Sequence, residues 1–460
     1  MNGCMEANLA LHEALRESAG KSRSLAAAFI DISKAFDYLS FDTILRSARS
    51  FGAPPLLMTY IRNIYTCGEA ILYNCSIHNR RGVRQGDPLS PILFIMAMDK
   101  VLLAADPSSG FPLGSTVRDA VAYADDLVLF AEDSSGLSAK LTAADAALAR
   151  AGMLVNIKKS MSMTILANRK VGNTALAPIV YRLEEESLLL MEVDTVVRYL
   201  GLEFSWRGKT GGLIGQELVT YLNRITRAPL KPCQRMEILL IFLVPEFLHQ
   251  LVLQTVKRRV LRRLHVQIRG AVRRWLKLPK DAVNGLLHTP SKAGGLGIPC
   301  LSVLVPLLQR ERFAKLVGSP HSTVREVAMQ EGQARILHAV NQPVSVGGIV
   351  VCTKEEAAAA WRALWLSSSD GRDLAIEPMG VESTSWVSHP GKMFSRLYIR
   401  SIQLRAGCLY THVRSSRGAR LVEVNCSGVC VGSPSLNTSF KRVLRRTRLG
   451  FCARTRWLRS

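Results

Sequence analysis

Residues 122–130, AYADDLVLF, place two adjacent carboxylates between two apolar segments. Apolar runs on both sides predict two short strands joined by a hairpin turn. An ordinary surface turn would favour Gly or Asn, whereas this one contains Ala124, Asp125 and Asp126. The two like charges at the hairpin tip therefore raise the question of what they bind.

A third carboxylate sharpens this question. Residues 25–32, LAAAFIDI, are typical of a buried strand, and Asp31 comes at its end. In an α+β sheet, Asp31 can lie beside the hairpin tip, and three converging carboxylates need a compensating cation. Two Mg²⁺ ions prefer such oxygen ligands and support in-line phosphoryl chemistry. The sequence therefore predicts a polymerase in which a primer 3′-hydroxyl attacks the α-phosphate of a nucleotide.

The remaining patterns predict a mixed α+β fold followed by helices. Helical patterns cover 40–52, 56–65, 89–104 and about 137–148, and strand patterns cover 70–74, 161–166 and 196–204. Ser40 is a candidate N-cap, and Gly52 and Gly152 are candidate helix ends. Beyond residue 210 the pattern changes to long helices.

The charge balance predicts a polyanionic partner. Sixty Lys and Arg against 36 Asp and Glu give a net charge of +24, which favours nucleic acid over a membrane surface. The apolar segment 238–253 contains Pro245, Glu246, His249 and Gln250 and indicates buried helices rather than a membrane span. The N-terminus lacks a signal peptide pattern, and the scattered cysteines indicate a reduced, intracellular protein.

Five motifs in order resemble the A-to-E series of reverse transcriptases from non-LTR retrotransposons. They are FIDISKAFD, RRGVRQGDPLSPILF, AYADDLVLF, GMLVNIKKS and YLGLEF, starting at residues 29, 80, 122, 152 and 199. The resemblance implies a right-hand polymerase palm, with an antiparallel sheet packed on helices and partial fingers. A helical thumb and a mostly helical C-terminal region would follow.

The resemblance also implies roles at the palm. Asp31 and Asp125 would be the principal metal ligands, Asp126 a supporting ligand, and the carbonyl of Ile32 a further one. Phe36 would lie beneath the incoming sugar, where its ring favours deoxynucleotides; an ordinary core Phe is the alternative.

Other positions would surround the substrate. Gln85 and Gly86 would face the nascent base pair, and Arg81 and Arg84 would contact phosphate or template, while residues 87–88 fix a turn. Tyr123 is either a wall of the site or a core residue.

Lys159 follows an N-x-x-K-S pattern and would neutralise or protonate the leaving pyrophosphate. A solvated surface lysine is the alternative. Residues 199–208 resemble the hairpin that grips the primer.

The downstream segments 222–253 and 294–299 resemble the thumb of non-LTR elements that encode a restriction-like endonuclease. Residues 257–280 contain ten basic residues and no acidic one, and would contact template–primer phosphates. The candidate contacts are Lys257, Arg258, Arg262, Arg269 and Arg273. A solvated helix face is the alternative.

The predicted domains are partial fingers and palm (1–208), thumb (209–310), a helical linker region (311–425) and a degenerate basic tail (426–460). Residues 367–373, SSSDGRD, are interpreted as a linker. The family's zinc knuckle is reduced here to Cys426 and Cys430, so no zinc is predicted. We expect both ends to be truncated relative to the family, and activity to be weak or absent. The resemblance places the protein in the nucleus, with the cytoplasm as the alternative.

Three alternatives remain open. A decayed or co-opted copy would bind nucleic acid without catalysis. A group II intron maturase would share the palm, although the downstream segments argue against it. An RNA-dependent RNA polymerase would share the carboxylates, but would not place Phe36 against the sugar.

Overall fold

The computed structural model describes residues 3–66, 68–72, 75–104, 110–168, 172–211, 214–254, 256–329, 341–371, 385–391 and 393–408. The chain forms two compact units. Unit 1 comprises residues 1–212 and 310–339, and unit 2 comprises residues 213–309 and 340–460.

The first segment of unit 1 alternates helices with short strands. Its helices are α1 (Gly3–Gly20), α2 (Ala35–Tyr38), α3 (Phe41–Ser50), α4 (Pro55–Thr66), α5 (Ser90–Ala104) and α6 (Ser134–Arg150). The longer strands and their hairpin partners are β1 (Leu25–Ile30), β2 (Ile32–Ser33), β3 (Glu69–Leu72), β4 (Cys75–His78), β5 (Phe111–Leu113), β6 (Thr116–Arg118), β7 (Ala120–Tyr123), β8 (Asp126–Ala131), β9 (Leu154–Val155), β10 (Met161–Asn168) and β11 (Asn173–Ala177). Shorter strands complete the segment: β12 (Arg182–Leu183), β13 (Glu186–Ser187), β14 (Leu189–Leu190), β15 (Val197–Tyr199), β16 (Leu202–Ser205) and β17 (Gly208–Lys209).

The central sheet has the order β11-β10-β1-β8-β7, with β14 added in parallel to β10. The five strands on this path pair antiparallel, and Ala28 of β1 faces Leu129 of β8 on one side and Ser162 of β10 on the other. β1 is buried along its whole length. Its small alanines suit a strand covered on both faces, because helices can then approach the sheet closely.

One face of this sheet packs on helices. Ala28, Ile30 and Leu129 share a core with Phe94 of α5 and Leu141 of α6. On the other face, the Phe29 ring meets the Tyr199 ring of β15 edge-on, with centroids 6.3 Å apart. The antiparallel sheet on helices predicted for the palm is therefore confirmed.

Unit 2 is mostly helical. Its first segment contains α7 (Ile214–Arg227), α8 (Pro232–Glu237), a π-helical turn (Ile238–Leu243), α9 (Val244–Leu253), α10 (Arg258–Trp275), α11 (Asn284–His288) and a short 3₁₀ helix (Ser291–Ala293). Helix α12 (Leu301–Val317) spans the boundary at residue 309, and α13 (Ser322–Met329) belongs to unit 1. The rest of unit 2 contains β18 (Val344–Val346), β19 (Ile349–Val351), α14 (Lys354–Leu366), α15 (Ser385–Ser388) and α16 (Ser395–Arg405).

The apolar segment from Pro232 to Leu253 is long and apolar enough to cross a membrane, with 39% of it buried. Leu239, Leu243 and Phe247 of this segment lie in the core of unit 2, beside Ile268 and Trp275 of α10. Packing of this kind supports the prediction of buried helices.

The predicted linker at 367–373 is wrong for the residues that the structure describes. Asp370 is only 8% exposed, and a Cβ on Gly371 would lie 2.1 Å from the carbonyl oxygen of Trp365. The polar composition therefore marks a tight turn that packs on the end of α14. The predicted domain boundaries remain predictions, since residues 310–339 group with unit 1.

Candidate polymerase active site

The two adjacent carboxylates lie at the tip of a hairpin. Tyr123 of β7 pairs with Asp126 of β8, leaving a two-residue turn of Ala124 and Asp125. Ala124 has φ +55°, in the left-handed region that is unfavourable for a residue with a Cβ. Strain of this kind persists when surrounding structure fixes the turn, and it clusters at functional sites.

The strand register brings Asp31 to the same hairpin. Ile30 pairs with Leu127 of β8, so continuing the antiparallel register by one residue places Asp31 opposite Asp126. Desolvation raises the pKa of the Asp126 carboxyl, and the negative charges of Asp125 and Asp31 raise it further. These effects act although the Asp126 side chain, at the tip of the hairpin, is exposed to solvent. The three predicted carboxylates therefore share one electrostatic environment.

The composition of this cluster fits divalent cations. Among the described residues, no Lys or Arg forms an ion pair with any of the three carboxylates. Carboxylate oxygens are the ligands that Mg²⁺ prefers, and bound cations would relieve the repulsion that raises the pKa of Asp126. The Ile32 side chain is buried in β2, so a metal would meet its backbone.

The N-x-x-K-S motif forms a turn attached to the end of β1. The Asn156 backbone N–H donates to the Asp31 carbonyl (2.8 Å). The Ser160 hydroxyl accepts from the Asp31 backbone N–H (3.0 Å) and donates to the Asn156 carbonyl (2.9 Å). Lys159 is exposed in this turn. The structure therefore places the predicted lysine beside the strand end that carries Asp31, and adds Ser160, which the sequence analysis did not single out.

Phe36 lies half-buried below the site. Its ring stacks on the buried Phe94 ring, with centroids 4.2 Å apart and an interplanar angle of 20°. The Phe36 carbonyl accepts a hydrogen bond from the Val83 N–H (2.7 Å), which connects Phe36 to the loop that contains residues 84–88. Phe36 packs on the core and is also partly open to solvent. The two predicted roles of Phe36, sugar wall and core residue, are therefore compatible.

The loop from Arg81 to Gln85 borders a polar cleft of about 460 Å³. Arg81 stacks over the Tyr38 ring at 3.9 Å, and Arg84, which lines the cleft, is exposed. Gln85 donates to Asp37 (3.4 Å). These contacts leave the cationic groups at the cleft available to phosphate.

The roles of Gly86 and Asp87 in this loop can be explained by backbone geometry. Gly86 has φ +85° with open space around it, so its requirement for glycine comes from the backbone rather than from a close approach of the protein. The Asp87 carboxylate accepts from the Leu89 N–H (3.0 Å), as predicted for a turn before α5.

Tyr123 lies at the surface rather than in the core. It is 45% exposed, and a Cβ on Gly3 of α1 would lie 3.2 Å from its ring. This exposure favours the wall of a site among the two roles considered for Tyr123.

The basic segment forms α10, and its cations divide into two groups. Lys257 and Arg262 are exposed. Arg258 donates to the carbonyls of Gln342 (2.6 Å) and Pro343 (3.0 Å), which corrects its assignment to nucleic acid alone.

Arg269 and Arg273 also serve the fold. Both donate to the Asn284 side chain, at 2.7 and 2.9 Å. They nevertheless line a groove of about 790 Å³, which also contains Arg274, Lys277 and Lys280. The sequence analysis did not name these last three cations, or the exposed Arg259 and Arg263, as candidate contacts. Their exposure depends on which face of α10 packs on the core.

Comparison with known proteins defines the class. Residues 3–204 match the family model described as reverse transcriptase (RNA-dependent DNA polymerase). The palm fold and its carboxylates therefore belong to a reverse transcriptase domain.

Comparison with curated relatives shows which kind of reverse transcriptase the chain resembles. The chain is 33% identical over 457 residues to the Pol polyprotein of type-2 retrotransposable element R2DM from Drosophila melanogaster, covering 96% of this chain and 42% of that protein. It is 31% identical to the R2 polyprotein from Nasonia vitripennis, covering 99% and 43%. Residues 3–204 therefore form a reverse transcriptase domain, and the chain, which spans less than half the length of these relatives, is similar to the polyproteins of R2 retrotransposable elements.

A solved telomerase from Candida tropicalis is also similar, at 11% identity and a TM-score of 0.35, covering 74% of this chain and 53% of that chain. The sequence relatives therefore confirm the predicted family. Because these relatives are R2 elements, they argue against the alternative of a group II intron maturase. Cys426 and Cys430 lie outside the described residues.

Proposed function

We propose that the chain is the RNA-directed DNA polymerase part of a non-LTR retroelement, which extends a primer 3′-hydroxyl with deoxynucleotides on an RNA template. The observation that carries this proposal is the strand register that brings Asp31 opposite Asp126 at the hairpin tip. The membership of residues 3–204 in the reverse transcriptase family supports it.

The carboxylates of Asp31, Asp125 and Asp126, with the carbonyl of Ile32, would hold two Mg²⁺ ions. Such ions, when bound, lower the pKa of an attacking hydroxyl and neutralise charge on the phosphate. Mn²⁺ offers the same oxygen coordination. The strained turn and the bonds to Asp31 fix the carboxylates in advance, which reduces the reorganisation needed during the reaction.

Lys159 would act on the leaving group. Its ammonium lies exposed on a turn whose two ends are hydrogen-bonded to the Asp31 peptide. An ammonium in this position can donate a proton to, or neutralise, the pyrophosphate. Gln85 and Tyr123, both exposed, would contact the nascent base pair.

A second function, binding without synthesis, is favoured by the basic groove on α10. The exposed cations there would hold the phosphates of the RNA template and DNA primer. Since the groove lies in unit 2 and the carboxylates lie in unit 1, binding can survive the loss of catalysis. We also propose nuclear localisation, which imaging of the tagged full chain would test.

Primer extension on an RNA template tests the main proposal. Asp125→Asn should lower Mg²⁺-dependent cDNA synthesis by more than about 100-fold, because a metal ligand is lost. Asp99→Asn, which changes an exposed carboxylate on α5, is the matched control. Equal activity in Asp125→Asn and wild type would contradict the assignment. Template binding without any synthesis by the wild type would support the second function.

A further inference from the structure

Unit 2 contains a buried group of side chains that polymerase chemistry does not use. His265 of α10, His288 of α11 and Cys300, which precedes α12, each offer one ligand atom, and these atoms lie within 4.8 Å of one another. His265 and His288 are 6% exposed and Cys300 is 7% exposed. Three potential ligands from separate segments therefore meet in the interior.

The protonation states in this cluster suit a metal. The His288 Nδ1 lies 2.8 Å from the Ile298 carbonyl, which fixes Nδ1 as the donor and leaves the lone pair on Nε2. That Nε2 atom is buried and has no hydrogen-bond partner among the residues that the structure describes. Burial lowers the pKa of His265 to about 3 and that of His288 to about 4, so both rings are neutral, as metal binding requires. A metal-bound histidine frequently donates its other ring N–H to a backbone carbonyl in this way.

The distances also suit a tetrahedral ion. Cys300 Sγ lies 3.6 Å from His265 Nε2, and the usual zinc–sulfur and zinc–nitrogen bond lengths in a tetrahedron give a separation of about 3.6 Å. Burial raises the pKa of the Cys300 thiol, whereas the Ser302 hydroxyl and the backbone N–H groups of Val303 and Ser302 lower it by a smaller amount. A bound zinc ion would favour the thiolate form of Cys300.

We propose that His265, His288 and Cys300 bind one Zn²⁺ ion, which joins α10, α11 and the start of α12. Three protein ligands leave a fourth position for water. The metal would be structural, because the cluster is enclosed and Trp361 packs on the His288 ring with centroids 4.5 Å apart. Binding at this site would stabilise unit 2, since a metal that binds the folded state adds its binding free energy to folding.

The test uses the full chain carrying Cys426→Ser and Cys430→Ser, so that the C-terminal cysteines cannot contribute. Elemental analysis should find about one zinc per chain. Reconstitution with Co²⁺ should produce a thiolate-to-cobalt charge-transfer band. Cys300→Ser should lose both signals, whereas Cys233→Ser, at a partly buried cysteine elsewhere in unit 2, should keep both.

Thermal unfolding separates a metal site from a simple Cys–His hydrogen bond. A chelator should lower the Tm of the parent chain and leave the Tm of Cys300→Ser unchanged. His288→Gln gives a second variant in case Cys300→Ser does not fold. Absence of zinc and of the cobalt band in the parent chain, or full zinc retention in both variants, would overturn the proposal.

Discussion

The geometry of the candidate active site depends on how the backbone of Asp31 is held. Its N–H and carbonyl are both bonded to the turn that carries Lys159, through Ser160 and Asn156. The side chain is thereby left to face the hairpin, while the backbone fixes its position. Ser160 is fully buried, so no water can replace its hydroxyl without rearrangement.

Ser160→Ala tests this positioning role. The Asp31 N–H would lose its partner at a cost of about 1–3 kcal/mol. We expect kcat for primer extension to fall more than KM for deoxynucleotide rises, because Asp31 is displaced while the substrate contacts remain. Ser160→Thr, which keeps the hydroxyl, should recover part of the kcat. An unchanged kcat in Ser160→Ala would show that this hydrogen bond does not position the site.

Phe36 offers a test of sugar selection. Phe36→Ala should raise ribonucleotide incorporation about 10- to 200-fold relative to deoxynucleotide, because the ring that opposes the 2′-hydroxyl is removed. Stability should fall by up to about 3–5 kcal/mol through the lost core packing.

Phe94→Leu is the matched control for this measurement, because it breaks the same ring pair and leaves residue 36 intact. It should lower stability without changing sugar selection. Equal selectivity in Phe36→Ala and wild type would leave Phe36 as a core residue only.

At the scale of elements, His12 of α1 is buried near basic side chains of α1, β17 and α12. Burial, Lys209, Arg16 and Arg312 lower the pKa of His12 on α1 to about 3. A folded pKa below the unfolded value of about 6.5 means that the unfolded state binds the extra proton between these values. The stability contributed by neutral His12 is therefore complete above pH 6.5 and is lost as the pH falls.

Denaturant unfolding between pH 7 and pH 5 measures this effect. The free energy of unfolding should fall below pH 6.5 with a slope of up to about 1.4 kcal/mol per pH unit from this group. His12→Gln should reduce the slope by this amount in this range, where carboxylates still titrate little, while the slope due to His265 and His288, whose pKa values are also lowered by burial, remains. An identical slope in both proteins would exclude His12 as the source.

Helix α10 contains exposed cations, which we propose bind nucleic acid, and cations that hydrogen-bond within the fold. Arg262→Glu combined with Arg274→Glu should weaken binding to an RNA–DNA duplex and reduce the salt slope of log K by about one for each phosphate that the variant no longer neutralises. The Tm should stay within about 1 °C of wild type, because both side chains are exposed.

Arg273→Gln gives the opposite pattern. Its guanidinium bonds the Ala282 carbonyl and the Asn284 side chain, so its loss should destabilise the protein by about 1–3 kcal/mol. Arg49→Glu combined with Arg150→Glu, at two exposed arginines of α3 and α6, gives the same change in net charge as the α10 double variant and serves as its control. Similar losses of binding in these two double variants would show that overall charge, not the groove, sets affinity.

At the scale of the whole molecule, the chain returns to unit 1 after building most of the core of unit 2. The returning segment contains α13, whose Val327 is 3% exposed and whose Met329 is 66% exposed. Val327→Asp should therefore destabilise unit 1, since it buries a charge without a partner.

Hydrogen exchange followed by mass spectrometry locates the effect. Val327→Asp should speed exchange in α1 and β1, while the core of α10 stays protected. Met329→Asp, on the exposed side of the same helix, should change neither. Faster exchange confined to α10 and α16 would contradict the assignment of this segment to unit 1.

Much of the palm could be predicted because its signals are local. The apolar runs on either side of Asp125 and Asp126, the apolar strand before Asp31 and the N-cap at Ser40 each depend on neighbouring residues, and all three appear in the structure. The linker prediction failed for the described residues 367–371, because composition cannot show that Asp370 is buried and that Gly371 packs against Trp365.

The His265, His288 and Cys300 cluster had no sequence signal, because its members lie 23 and 12 residues apart and each is unremarkable alone. By itself, the sequence determined the α+β class, the order of the polymerase motifs and the strongly basic charge, since these follow from residue types and short spacings. The tertiary structure alone decided which arginines of α10 face solvent, how Ser160 bonds Asp31, and which distant side chains meet inside unit 2. Such contacts depend on the packing of helices whose relative positions are set by the whole core, and no local pattern encodes them.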